Sequence, residues 1–145
     1  VSTNYAALAC MDFPMCHGAW VPPMDFRDGF SLIRALGELP SGQAISQSAL
    51  TAIHWTHRNF AFIVFLYLVP LAWRLRAEAG LRGPATLLLC LLAAQLCTGL
   101  TTIFFQWPLA VAVLHTGGAA AITLVMVLIR VRLGTAGGAP VTSAG

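Results

Sequence analysis

Residues 83–129 read GPATLLLCLLAAQLCTGLTTIFFQWPLAVAVLHTGGAAAITLVMVLI, with Arg82 before them, Arg130 after them and no Asp, Glu, Lys or Arg between. The run is about twice the roughly 20 apolar residues that a membrane-spanning helix needs. It breaks at Gln106-Trp107-Pro108: a polar residue, an aromatic suited to the membrane interface, and a helix starter. This gives two spans, over about 83–105 and 108–129, joined by a very tight turn. A third apolar segment, 49–73, lies upstream. It carries His54, His57 and Arg58 near its start and no charge from Asn59 to Trp73.

The rest of the composition agrees. Of 145 residues, 58% are hydrophobic and 9% charged, against about 25% charged in an ordinary soluble domain. That excludes a soluble enzyme and a disordered chain. Nucleic acid is excluded as a partner, because the Arg residues are scattered and form no basic stripe. The fold class expected is all-α: an integral membrane bundle of three spans, with an extracytoplasmic N-terminal segment. Arg74, Arg76 and Arg82 lie between the first two spans, and Arg130 and Arg132 come after the third. The positive-inside rule puts both clusters in the cytoplasm. A plasma (inner) membrane location then leaves residues 1–48 in the periplasm, where disulfides persist. Three regions result: 1–48 outside, 49–132 in the membrane, and 133–145 as a disordered cytoplasmic tail rich in Gly, Ala, Thr and Ser. The chain begins at Val1 and shows no charged leader, so an upstream part is expected.

The outer segment has its own pattern. Cys10 and Cys16, with five residues between them, would close a small disulfide loop, and Pro22-Pro23 stiffens the chain beyond it. Phe26, Phe30 and Ile33 recur at helical spacing within 25–36, which reads as a short amphipathic helix on the membrane surface. Ser46 or Ser48 caps the first span. Cys90 and Cys97 share a helix face and read as ordinary packing. Trp20, Trp73 and Trp107 read as interface anchors. His17 reads as solvated. Thr98, Thr101 and Thr102 read as helix–helix hydrogen bonding.

Titratable residues inside a span are expensive and usually functional. His57 precedes Trp73 by sixteen residues and His115 precedes Ile129 by fourteen. At 1.5 Å per residue they stand about 24 and 21 Å above the inner boundary. Two co-directional helices thus carry an imidazole at one level. Such a pair can ligate one metal from both sides, and in an apolar bundle the natural occupant is a heme iron. Zinc wants three or four ligands, and no carboxylate or Cys lies at that depth. The small residues from Gly117 to Ala121 let a flat macrocycle or a helix come close.

Three motifs now fall together. Val1-Ser2-Thr3-Asn4-Tyr5-Ala6-Ala7-Leu8-Ala9-Cys10 with Asp12-Phe13-Pro14 and Cys16 resembles an outer loop of the heme A synthase family. Ile53-His54-Trp55-Thr56-His57-Arg58 and Val113-Leu114-His115-Thr116-Gly117-Gly118 resemble two of its spans. The resemblance covers about residues 1–132. It implies eight spans in two similar halves, each half offering a His pair to a heme. It also implies oxidation of the heme o methyl group to the formyl group of heme a, for cytochrome oxidase assembly. This chain resembles the second half without its first helix. That half holds heme b between the positions of His57 and His115 and passes electrons. In the family a Glu one turn before a His of the first half is implicated in catalysis. Here His54 stands at the matching place before His57. The resemblance therefore implies an electron-transfer half with no turnover of its own.

Open readings remain beside it. His57 and His115 could be buried histidines hydrogen-bonded to a neighbouring helix. His54 is either a surface histidine or a contact to a propionate or a water relay. Arg58 either pairs with a heme propionate or snorkels to the interface. Trp55 either anchors or packs on the heme. The Cys pair is either structural or redox-active. The alternative function is a membrane b-type cytochrome that only relays electrons, and a third is an assembly subunit whose histidines merely hold helices together. The partners implied are heme o as substrate, membrane lipid, a heme o synthase, cytochrome oxidase assembly factors and a second copy of the chain. A further helix, or another chain, is expected to complete the heme pocket.

Overall fold

Three long apolar helices and one single-turn helix make up the described part of the chain, residues 9–31, 44–105 and 108–136 of a computed structural model. They are α1 (Phe26–Gly29), α2 (Gln47–Leu75), α3 (Arg82–Phe104) and α4 (Leu109–Ala136). Among the described residues there is no strand beyond one isolated bridge between Cys16 and Ala19. α2, α3 and α4 have 29, 23 and 28 residues. At 1.5 Å per residue each exceeds the roughly 30 Å hydrocarbon thickness of a bilayer. Each is long and apolar enough to cross a membrane.

Local chemistry sets the ends. Ser46 caps α2, its hydroxyl accepting from the Ala49 N–H at 3.2 Å. Asp25 caps α1 in the same way, accepting from the Asp28 N–H at 3.0 Å. Gly80, with φ of 80°, makes the turn between α2 and α3 at a conformation that glycine adopts without a Cβ penalty. The Arg132 guanidinium on α4 donates to the Gly80 carbonyl at 3.0 Å. Beside it, Arg76 stacks over the Trp73 ring at 4.9 Å. One end of the bundle is therefore an arginine end, and residues 9–31 gather at the other.

α3 is the middle helix. It packs against both α2 and α4, while among the described residues none of α2 comes within 8 Å, Cα to Cα, of a residue of α4. Leu88 and Leu92 of α3 are completely buried. They sit among Leu68 and Ala72 of α2 and Val125 and Ile129 of α4, all in the half nearer the arginine end. Most other apolar side chains on the three helices face outward, as Leu66 and Leu124 do.

Some expectations shift. The spans predicted over 49–73 and 83–105 are helices Gln47–Leu75 and Arg82–Phe104. The third continues to Ala136, past position 133 where a disordered tail is expected. Nothing at 130–136 stops a helix: arginines solvate its end, and the Gly134 backbone stays helical. Of the amphipathic helix expected over 25–36, the described part is the single turn α1. Its remainder, with Ile33, lies outside the described residues, as do Gln106, Trp107 and the end of the tail. Cys90 and Cys97 are free thiols, both exposed on α3.

Candidate functional site

The first turns of α2 hold the N-terminal segment. Cys10 is bonded to Cys16, with Cα atoms 4.9 Å apart. Cys16 to Ala19 form a tight turn with reciprocal backbone hydrogen bonds of 3.0 and 3.1 Å. Both central residues, His17 and Gly18, have positive φ, as a type I′ turn requires. The Asp12 carboxylate closes the loop, accepting from the His17 and Gly18 N–H groups at 2.8 Å each. These bonds, the Gly18 one above all, hold its carboxyl below the ordinary carboxylate range.

Arg58 fastens this loop to the helix. Its Nε–H donates to His54 Nε2 at 3.1 Å. Its terminal nitrogens donate to the carbonyls of Cys10 at 2.6 Å, Asp12 at 2.8 Å and Met15 at 3.0 Å. His54 is buried beneath, and the Cys10 N–H donates to its Nδ1 at 3.3 Å. A neutral imidazole has one in-plane lone pair, so its tautomer decides which of these two donors it serves. Trp55 donates from Nε1 to the Trp20 carbonyl at 2.9 Å and meets Phe26 edge to face. His17 reaches Thr51 at 3.3 Å. Gly29 lies against the Ala49 carbonyl, where a Cβ would come within 2.9 Å.

Just below, two imidazoles meet. The rings of His57 on α2 and His115 on α4 have centroids 6.4 Å apart and planes inclined at 71°. The two helices have no close backbone approach, so the rings reach toward each other across the gap over α3. His57 is exposed, and among the described residues its ring nitrogens have no hydrogen-bond partner.

His115 is held by α3. Its Nδ1 lies 2.9 Å from the Thr98 hydroxyl, and its Nε2 3.3 Å from the Gln95 amide nitrogen. That nitrogen also donates to the His115 carbonyl at 3.0 Å. Two glycines make the room. A Cβ on Gly99 would sit 3.2 Å from His115 Cε1, and a Cβ on Gly118 would collide with Gln95 Oε1. Thr101 and Thr102 bond to carbonyls of their own helix, so of the threonine cluster Thr98 alone bonds across helices.

The predicted residues thus form two adjoining groups. His57 and His115 face each other, whereas His54 and Arg58 engage the disulfide loop. Trp55 likewise serves the outer segment. Gln95 and Gly99 do not stand out from sequence reasoning. A signal exists for Gln95, whose amide sits inside an uncharged span where a polar side chain needs a partner. Gly99 has no signal beyond being a glycine inside a helix.

The heme A synthase of Shewanella oneidensis is 38% identical over 130 residues, covering 88% of this chain and 39% of its own length. That of Nitrosospira multiformis is 30% identical over 118 residues, 79% of this chain and 30% of its own. That of Halalkalibacterium halodurans is 29% identical over 119 residues, 79% and 32%. The family described as cytochrome oxidase assembly protein matches residues 1–127. The chain belongs to this heme A synthase family. It spans between 30% and 39% of the length of these three relatives. No solved structure matches it. Family membership and the three apolar helices together make this chain of the heme A synthase family a multi-pass membrane protein.

Proposed function

We propose that this chain is the heme b-holding, electron-transferring part of a heme A synthase, with His57 and His115 as the two residues that would hold the heme iron. The observation that carries the reading is the meeting of these rings from two helices whose backbones stay apart. Metal–imidazole bonds of about 2 Å would place ring centres about 6 Å apart, close to the 6.4 Å found. Among the described residues, no group of three or more His, Cys, Asp or Glu could form a protein cage for a metal ion. Two facing imidazoles without a third such residue beside them among the described residues suit a metal whose other positions a macrocycle would fill. Heme bound there supplies one-electron transfer for the oxidation of the heme o methyl group to the formyl group of heme a.

The residues divide the work. His57 and His115 would hold the cofactor. The apolar core around Leu88 and Leu92 fixes α2 and α4 at one end, so that the gap between the histidines keeps its width. Arg58, His54 and the Cys10–Cys16 disulfide lay a cap over the loop end and limit water there. On this reading the cap faces the periplasm and Arg74, Arg76, Arg82, Arg130 and Arg132 face the cytoplasm. Heme o is the substrate of the whole enzyme, and the oxidising centre is formed by residues other than these.

The test is expression from the whole reading frame with a heme o source, followed by heme extraction and spectroscopy. Heme a is expected as product. His57→Ala and His115→Ala are each expected to abolish the low-spin bis-imidazole spectrum of heme b. Retention of that spectrum in both variants removes the ligand assignment. Heme b without heme a favours the plain cytochrome relay.

A further inference from the structure

Both nitrogens of the His115 imidazole are addressed by one neighbouring helix, and the hydrogen bonds admit one tautomer. Thr98 has a single hydroxyl proton. Its own helix offers two carbonyl acceptors, Ala94 at 2.9 Å and Gln95 at 3.2 Å. With the proton given to either, the hydroxyl oxygen accepts from a hydrogen on His115 Nδ1 across the 2.9 Å contact. The second contact decides the tautomer. The Gln95 amide nitrogen is oriented by the His115 carbonyl, to which it donates at 3.0 Å. An amide nitrogen only donates, so the His115 Nε2 that it faces at 3.3 Å bears the lone pair. Flipping the amide would set its oxygen against the same carbonyl. The arrangement also carries costs that packing alone does not explain. Gln95 Oε1 is buried with no hydrogen-bond partner among the described residues. It lies where only a glycine at 118 leaves space, and the ring itself lies against Gly99.

We propose that Thr98 is a positioning residue for His115, its hydroxyl fixing the Nδ1–H tautomer so that Nε2, which the Gln95 amide faces in this structure, is the nitrogen that would take heme iron. The proposal rests on the heme b reading above and adds the device that makes one of its ligands. Hydrogen bonding at Nδ1 raises the basicity of the opposite nitrogen, which strengthens its bond to a metal. Iron at Nε2 would displace the Gln95 amide hydrogen from that nitrogen, and Gln95 would then touch His115 only through its bond to the His115 carbonyl.

The experiment uses protein from the whole reading frame, purified in detergent with heme b supplied. Thr98→Val keeps the shape and removes the acceptor. It is expected to weaken heme b binding about 10-fold or more, to raise the reduction potential and to shift the low-spin ferric EPR signal. Thr98→Ser is expected to restore all three. Far-UV circular dichroism checks that each variant is folded. A folded Thr98→Val protein with parental affinity, potential and EPR signal overturns the proposal, and so does a Thr98→Ser variant no better than Thr98→Val. His57→Ala and His115→Ala run alongside. If they lose the bis-imidazole signal while Thr98→Val matches the parent, the ligands stand and only the positioning falls. If they retain it, both readings fall.

Discussion

Arg58 gives its donors to four acceptors, three of them carbonyls in a loop with almost no regular structure. Loop carbonyls away from water need donors, and a planar guanidinium can serve several at once. A lysine ammonium has the charge without the fork. Arg58→Lys is therefore expected to cost about 1–2 kcal/mol, less than ideal charged hydrogen bonds would give, because the group is half-exposed. It should also speed reduction of Cys10–Cys16 by dithiothreitol. A reduction rate equal to the parent's would mean that Arg58 does not hold the loop. This role is not legible in the sequence. Its partners are backbone carbonyls, which leave no side-chain pattern, so the residue reads there only as a propionate partner or a snorkelling cation. His57 and His115 are legible for the opposite reason. A histidine in an uncharged helix stands out, and helical rise alone puts the two at one level.

Helix contacts track the smallest residues. Gly117 and Gly118 are neighbours in sequence, yet a Cβ on Gly117 would meet nothing within 4 Å, while one on Gly118 would run into Gln95. Gly117→Ala is expected to be neutral or to stabilise α4 by up to about 1 kcal/mol, since alanine is the better helix former. Gly118→Ala should displace the Gln95 side chain, lower the midpoint of thermal unfolding in detergent and reduce heme retention. Equal behaviour of the two variants would remove the packing account of α3 against α4. The sequence marks both glycines only as places of close approach. Which of the two faces α3 depends on the rotation of α4 about its axis, and uniformly apolar helices carry no amphipathic stripe to set that rotation. The existence of the three helices is plain because long uncharged runs have few other solutions. The end of α4 is not, because the apolar run stops before the hydrogen-bond ladder does.

Over the whole molecule, α3 acts as a spacer. Its Leu88 and Leu92 fill the half nearer the arginines, while Gln95, Thr98 and Gly99 form a smaller, more polar surface under the histidines. Bulky residues along one half of α3 join side chains of all three helices in one core, while α2 and α4 have no close backbone approach to each other at either end. The width of the gap between His57 and His115 then depends on a core well below it. Leu92→Ala tests that dependence. In lipid the usual transfer penalty largely disappears, since hydrocarbon replaces hydrocarbon, and what is lost is packing. The expected cost is about 1–3 kcal/mol, toward the lower end of core leucine truncations in water. Titration with a denaturing detergent should show it as an earlier transition, and heme b should dissociate faster. Leu66→Ala and Leu124→Ala remove side chains of the same size that are 76% and 70% exposed, and in this chain they should match the parent in both measurements. If Leu92→Ala released heme no faster than Leu66→Ala, the spacing of the histidines would have to come from the capped end, through Arg58 and the disulfide loop, and not from the leucine core.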